Sequence, residues 1–311
     1  MIEHPKSLGI FASYFVLIGA LVLVIARTAP VRPAAPYLVL TAVSVLTTWY
    51  YMLMYFATSF AEWQLATAHS EYTMGNWLSE TKLFEQAWTY VSATPGRYWW
   101  SQQICFWSVI VTSFMAHKAE LYRIRHLWAY MLLGQVVAMS VNSNLVFGVA
   151  AAVEQRAARR GKRPAGRSPR VRTSTLSSVL LVLSFAPLSM LADVTSRWFM
   201  PALLSLHSVI FVPLAVGGAP HPWANVAIAL LSSALQLWQG VLTGRDAIVA
   251  TLLEAPTTAA QYAIKSVIAD VFCSVAGLAV WVAQHPDQRP LLLLAVPVLG
   301  TATGGFLINQ L

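Results

Sequence analysis

Two carboxylates stand out because each falls at the end of, or inside, a long apolar stretch. Glu62 follows the apolar residues 37–60, and Asp270 lies well inside the run 263–283. A charged side chain is costly in hydrocarbon and tends to be functional, so Asp270 needs either a polar cavity or a hydrogen-bonding partner on another helix. A buried carboxyl group can stay protonated near neutral pH and donate that proton to a substrate. We therefore take Glu62 and Asp270 as candidate catalytic residues, with Glu71 as a third.

Glu62 shares one helix face with three side chains that precede it. Tyr51, Tyr55, Thr58 and Glu62 follow one another at helical spacing, which places them on one side of a helix. Such a face can line a pocket that is aromatic in its depth and acidic at its mouth. It can equally be an interfacial tyrosine belt with a solvated glutamate at its end.

Two further pairs are spaced seven residues apart. Gln135 and Asn142 form one pair, and Trp100 and Trp107 form the other. Amides within a span often join neighbouring helices, but they can also bind a substrate. Tryptophan rings are common in cores, but their π faces can stabilise a cation. We predict that these four residues, with Tyr51 and Tyr55, bind the substrate.

Motifs that would assign other chemistries are missing from the sequence. It contains no DDxxD or DxDD, no HExxH, no GxSxG, no P-loop and no zinc spacing, the patterns that hold metals, nucleotides and nucleophiles. We therefore predict no metal site and no cofactor. Lys265 lies near the edge of its apolar run, where its side chain is expected to reach the lipid headgroups.

The composition defines the elements that must position these residues. Of 311 residues, 57% are hydrophobic and 10% are charged, whereas a soluble domain carries about 25% charged residues. This excludes a soluble hydrolase, a Rossmann enzyme and a nucleic-acid-binding domain. We predict an all-α, polytopic helical membrane protein, with residues 1–311 forming a single integral membrane domain in the lipid bilayer.

Nine stretches are long and apolar enough to be membrane spans. They cover 9–26, 37–60, 100–116, 127–151, 176–192, 198–216, 224–242, 263–283 and 291–308. The fifth and sixth are short and interrupted by prolines, so we expect eight to nine transmembrane helices.

The net charge of +8 is concentrated in one connection. Eight of the 20 Lys and Arg residues lie between Arg156 and Arg172. Because positively charged loops remain in the cytosol, we predict that the connection 152–173 is cytosolic. The excess charge is local, so it indicates no nucleic-acid partner.

The connection 61–99 differs from the others in its length and pattern. Five of its residues, four of them apolar, recur at helical spacing, which predicts an amphipathic helix in the membrane interface. These residues are Trp77, Thr81, Phe84, Trp88 and Val91. A long connection of this kind is typical of a lid or a site wall.

Three stretches carry a resemblance to a known family. They are 83–88 (LFEQAW), 94–103 (TPGRYWWSQQ) and 124–138 (IRHLWAYMLLGQVVA), with 142–144 behind them. Over residues 45–160 the chain resembles the membrane-bound terpene cyclases of fungal meroterpenoid biosynthesis, of the ascochlorin and ascofuranone type.

The resemblance implies a cofactor-free, multi-pass cyclase in the endoplasmic reticulum membrane. Its substrate would be a prenylated aromatic molecule, a farnesylated phenol bearing a terminal epoxide. An acid protonates the epoxide or an olefin, and an alkene or hydroxyl then attacks the cation and closes a carbocycle or cyclic ether. By their placement, Glu62 and Asp270 correspond to the two carboxylates of such cyclases.

Two other classes of protein remain open. A sterol-isomerase-like membrane enzyme also combines buried acids with tryptophans, and it would act on a fused-ring lipid without an epoxide. A non-enzymatic transporter or receptor is the other alternative. A transporter is expected to carry inverted repeats, and the sequence shows none.

Overall fold

The computed structural model describes residues 4–67, 72–160 and 171–285, and in this part of the chain it is helical without a β-strand. The α-helices are α1 (Pro5–Thr28), α2 (Ala35–Ala66), α3 (Met74–Glu80), α4 (Leu83–Ser92), α5 (Pro95–Tyr122), α6 (Leu127–Val136), α7 (Met139–Arg159), α8 (Thr175–Leu183), α9 (Phe199–Val209), α10 (Val212–Val216), α11 (Pro222–Thr243), α12 (Arg245–Leu253) and α13 (Ala259–Gln284). A 3₁₀ helix, Ala186–Ala192, follows α8. The predicted all-α class is confirmed.

Five helical segments among the described residues are long and apolar enough to cross a membrane. They are α1, α2, Thr175–Ala192, α11 and α13. These helices expose large apolar side chains such as Ile10, Leu46 and Val241, and extensive exposed apolar surface marks membrane contact. The fold is therefore compatible with an integral membrane protein.

Several predicted elements are interrupted. The stretch 127–151 is two helices, α6 and α7, that meet at Val137–Ala138. The predicted amphipathic helix is also two helices, α3 and α4, separated by Thr81–Lys82. The hydroxyl of Thr81 donates to the carbonyl of Trp77 at 2.6 Å, which closes the end of α3. The predicted ninth span, 291–308, lies outside the described residues.

Helix α13 lies at the centre of the fold, packed against α2, α7 and α5. It runs parallel to α7, because Asp270 meets Ser140 at one end and His285 meets Glu154 at the other. Between these ends, a Cβ atom on Gly277 would lie 1.8 Å from Oδ1 of Asn144. The absence of a side chain at Gly277 therefore allows the two helices to approach closely, as small residues do between membrane helices.

Glu154 joins three elements at the far end of this helix pair. Its Oε1 accepts hydrogen bonds from Nζ of Lys118 at 3.2 Å and from the hydroxyl of Tyr122, and its Oε2 lies 2.5 Å from Nε2 of His285. Burial by itself raises the pKa of Glu154. The bonds from Tyr122 and His285 and the charge of Lys118 outweigh burial, so that this pKa lies below its usual range.

Candidate functional site

A cavity of about 620 Å³ opens between the helices. Its walls come from α1, α2, α3, α4, α5, α9, α13 and the junction of α6 with α7. The volume is within the range of about 300–1,000 Å³ that is typical of small-molecule sites. Most of the lining is apolar, and the aromatic part consists of Phe11, Tyr14, Tyr55, Phe56, Phe84 and Trp88.

Asp270 places a carboxylate on this apolar lining. Its Oδ1 accepts the backbone N–H of Ser140 at 2.7 Å, and its Oδ2 accepts that of Met139 at 3.0 Å. Both donors belong to the first turn of α7, where backbone N–H groups have no partner within the helix. The side chain is only 8% exposed. The sequence left open whether Asp270 faces a cavity or bonds another helix. The structure shows both, because Asp270 caps α7 and also lines the cavity.

The segment between α2 and α5 supplies one wall of the cavity. Leu78 and Thr81 line it at the end of α3, and Phe84 and Trp88 line it from α4. The hydroxyl of Tyr55 on α2 donates to the carbonyl of Leu83 at 2.9 Å, which fixes the start of α4. The described part of this connection therefore forms a wall of the cavity.

The structure brings three of the predicted site residues together. Tyr55, Gln135 and Asp270 all line the cavity. Glu71 lies outside the described residues.

The other predicted binding residues lie away from the cavity. Trp100 donates its indole N–H to the carbonyl of Ile248 at 3.1 Å, and Nδ2 of Asn142 contacts Sδ of Met115 at 3.2 Å. Trp107 is buried on α5, and Tyr51 packs against Tyr50. None of these four predicted residues, Tyr51, Trp100, Trp107 and Asn142, is among the lining residues of the cavity.

Glu62 is separated from Asp270. Its Oε1 accepts the backbone N–H of Ala259 at 2.8 Å, so Glu62 caps the N-terminus of α13. Asp270 lies eleven residues further along this helix, about 16 Å away at 1.5 Å per residue. The structure therefore does not place the two predicted carboxylates in one site.

Lys265 is held within the protein, whereas its position predicted a side chain that extends towards the lipid headgroups. Its Nζ donates to the carbonyls of Thr251 and Leu252, at 3.1 and 2.6 Å. The residue is only 8% exposed. Because the last carbonyls of a helix have no partner within it, the ammonium group is held at the C-terminus of α12.

His207 is a cavity residue that the sequence did not identify, because a lone histidine in an apolar stretch matches no motif. It lines the cavity from α9, and its Nδ1 lies 2.9 Å from the carbonyl of Leu203. Its ring meets those of Trp88 and Phe84 edge to face, with centroids 5.2 and 5.9 Å apart. The imidazole is thus oriented by its own helix and by α4.

The comparisons with known proteins assign no family. The sequence matches no protein-family model, and no curated protein or solved structure is significantly similar to it. Among the described residues, no three His, Cys, Asp or Glu side chains are close enough to hold a metal ion.

Proposed function

We propose that the protein is a membrane terpene cyclase that closes a ring on a farnesylated phenol through a carbocation, without a cofactor. The observation that carries this proposal is the buried carboxylate of Asp270 on an aromatic, otherwise apolar cavity. A cation needs such surroundings, because aromatic faces attract positive charge and the exclusion of water prevents its capture.

Asp270 is suited to both proton transfers of an isomerisation. In its protonated form it donates its proton to the epoxide oxygen, and the adjacent carbon becomes cationic as the C–O bond breaks. The carboxylate that forms is stabilised by the N–H groups of Met139 and Ser140 and by the positive end of the α7 dipole. After ring closure the carboxylate takes up the proton that the product loses, so that substrate and product have the same mass.

The cavity also suits a prenylated substrate in size and polarity. Its volume is about 620 Å³, and Gln135 and His207 supply polar groups that can bind the phenol or the hydroxyl formed from the epoxide. A substrate of this kind dissolves in the bilayer. We place the protein in the endoplasmic reticulum membrane, with eight or nine spans and the interfacial helices α3 and α4 over the cavity.

An assay of substrate conversion by membranes that contain the protein tests this function. Membranes that contain the protein should convert an epoxidised farnesyl-phenol into a cyclic isomer of unchanged mass, detected by chromatography and mass spectrometry. The conversion should continue with EDTA and without added nucleotides. Membranes of the same host without the protein are the control, and equal product in both would refute the proposal.

A further inference from the structure

We propose that the same cavity is a binding site for lipophilic ammonium ions, amphiphiles that carry one protonated amine on an apolar tail. This binding requires no turnover. It goes beyond cyclisation, because the ligand is already positively charged before it binds and is released unchanged.

The first observation is a buried acid without a counter-ion. The lining residues include five ionisable side chains, Tyr14, Tyr55, Cys105, His207 and Asp270, and neither lysine nor arginine is among them. Asp270 accepts the backbone N–H groups of Met139 and Ser140, and neither of these residues carries a charge. A buried carboxyl group that lacks an opposite charge is costly to ionise, and a cation bound beside it would offset this cost.

The second observation is that aromatic rings share the lining with this carboxylate. Phe11 and Phe56 meet edge to face with their centroids 5.5 Å apart, and Trp88 is packed against His207. Fixed aromatic rings attract a cation without offering it water, and the attraction is greatest for tryptophan. A carboxylic acid ligand would meet the like charge of Asp270 instead.

These features define the chemical class of the ligand. One carboxylate matches one positive charge, and the backbone bonds to Oδ1 and Oδ2 leave further lone pairs to accept an ammonium N–H. The apolar lining favours a tail of terpenoid size over a polar chain. The preferred ligand is therefore a monoamine on a long hydrocarbon tail.

A binding measurement with matched probes tests the inference. The purified full-length chain, in a zwitterionic detergent at pH 8, is titrated with tritiated N,N-dimethylfarnesylamine in a scintillation proximity assay. Farnesyl methyl ether and farnesoic acid compete as the neutral and anionic analogues. At pH 8 an ordinary histidine is neutral, so repulsion by His207 is avoided. The amine should bind more tightly than the ether by roughly tenfold or more, the scale of one hydrogen bond to a charged group.

Two substitutions separate the contribution of the Asp270 charge to amine binding from that of the Trp88 ring. Asp270→Asn should reduce the affinity for the amine to that for the ether, whereas the matched change Asp246→Asn, at an exposed position in the first turn of α12, should have no effect. Trp88→Leu leaves the α7 cap untouched, and it should weaken amine binding several-fold while changing ether binding little. This second variant provides a test even if Asp270→Asn does not fold.

The outcomes distinguish this inference from the proposed enzyme. Equal affinities of the wild-type protein for the amine and the ether would overturn it, as would an amine preference that survives Asp270→Asn. Amine binding without conversion of the epoxide would leave this inference standing and refute only the cyclase. Conversion without an amine preference would refute only this inference.

Discussion

Three buried or partly buried charged side chains each bond the backbone at the end of a neighbouring helix. Glu62 caps the start of α13, Lys265 binds the end of α12, and Asp270 caps the start of α7. Helix ends carry partial charges and unpaired backbone groups, so these contacts satisfy the side chain and the helix together. Of the three, only Asp270 also lines the cavity. The contacts of Glu62 and Lys265 stabilise helix ends away from it.

The sequence identified Asp270 because an acid within an apolar run is unusual. It could not show the partners, because Met139 and Ser140 lie more than a hundred positions away in the chain. The helical spacing of residues also could not show whether a helix face contacts the cavity or another helix. Tyr55 faces the cavity, whereas Trp100 and Asn142 face other helices.

Substitutions of Glu62 should separate capping from catalysis. Glu62→Gln retains the Oε1 acceptor for Ala259, so turnover and thermal stability should stay near those of the wild type. Glu62→Ala removes the cap and should lower the free energy of unfolding by about 1 kcal/mol. Thermal unfolding in detergent and the cyclisation assay measure these effects. A hundredfold loss of turnover in a stable Glu62→Gln protein would show instead that Glu62 takes part in catalysis.

Glu154 should make stability depend on pH. Because its pKa in the folded protein lies below its usual range, its stabilising contribution is present above about pH 4.3, the ordinary value for glutamate. The contribution is lost as the pH falls through the lowered value. Glu154→Gln should therefore unfold at a lower temperature than the wild type at pH 7, and the gap should close in acid.

A matched control for Glu154 is Glu120→Gln, which changes an exposed glutamate on the neighbouring helix α5. It should unfold like the wild type at each pH. If the gap for Glu154→Gln were the same at pH 7 and pH 3, the ionised state of Glu154 would not stabilise the fold.

At the scale of elements, apolar runs located most helices but missed the break within the run 127–151. The runs 9–26, 37–60 and 263–283 lie within α1, α2 and α13. Neither Val137 nor Ala138 is a helix breaker, yet α6 ends and α7 begins there. The new N-terminus is stabilised by Asp270 from a distant helix, so tertiary contact and not local propensity sets the break. Helix α12 was missed because it is short.

The close contact between α7 and α13 predicts a strong effect of one methyl group. In Gly277→Ala the new Cβ would overlap Oδ1 of Asn144, whose Nδ2 lies 3.2 Å from Oγ of Ser44. Asn144 would have to move from this position or the helices would have to separate, at a cost of about 1–3 kcal/mol. Thermal unfolding should show a clearly lower midpoint.

Gly19→Ala is the control for this substitution, because nothing lies within 4 Å of its added Cβ on α1. It should leave the midpoint unchanged or raise it, since alanine favours a helix over glycine by about 1 kcal/mol. Equal midpoints for the two variants would contradict the close packing of α7 against α13.

At the scale of the whole molecule, composition predicted the class of protein and the charge distribution predicts its orientation. Eight Lys and Arg residues between Arg156 and Arg172 should hold the connection 152–173 in the cytosol. A glycosylation acceptor inserted there should remain unmodified in microsomes, whereas one on the opposite side should be glycosylated. Modification of the inserted site would invert the proposed orientation.

The cavity itself could not be predicted from composition, because it is assembled from nine helices. The function that we propose for it depends on one carboxylate, so the most direct test compares two Asp→Asn substitutions. Asp270→Asn keeps the shape and an oxygen acceptor but removes the transferable proton, and Asp246→Asn makes the same change at an exposed position.

The decisive measurement is the rate of conversion of the epoxidised farnesyl-phenol at equal protein levels in the membrane. Asp270→Asn should be slower than the wild type by about 100-fold or more, the usual scale of a general acid–base contribution. Asp246→Asn should match the wild type. Conversion by Asp270→Asn at the wild-type rate would contradict the assignment of Asp270 as the catalytic acid.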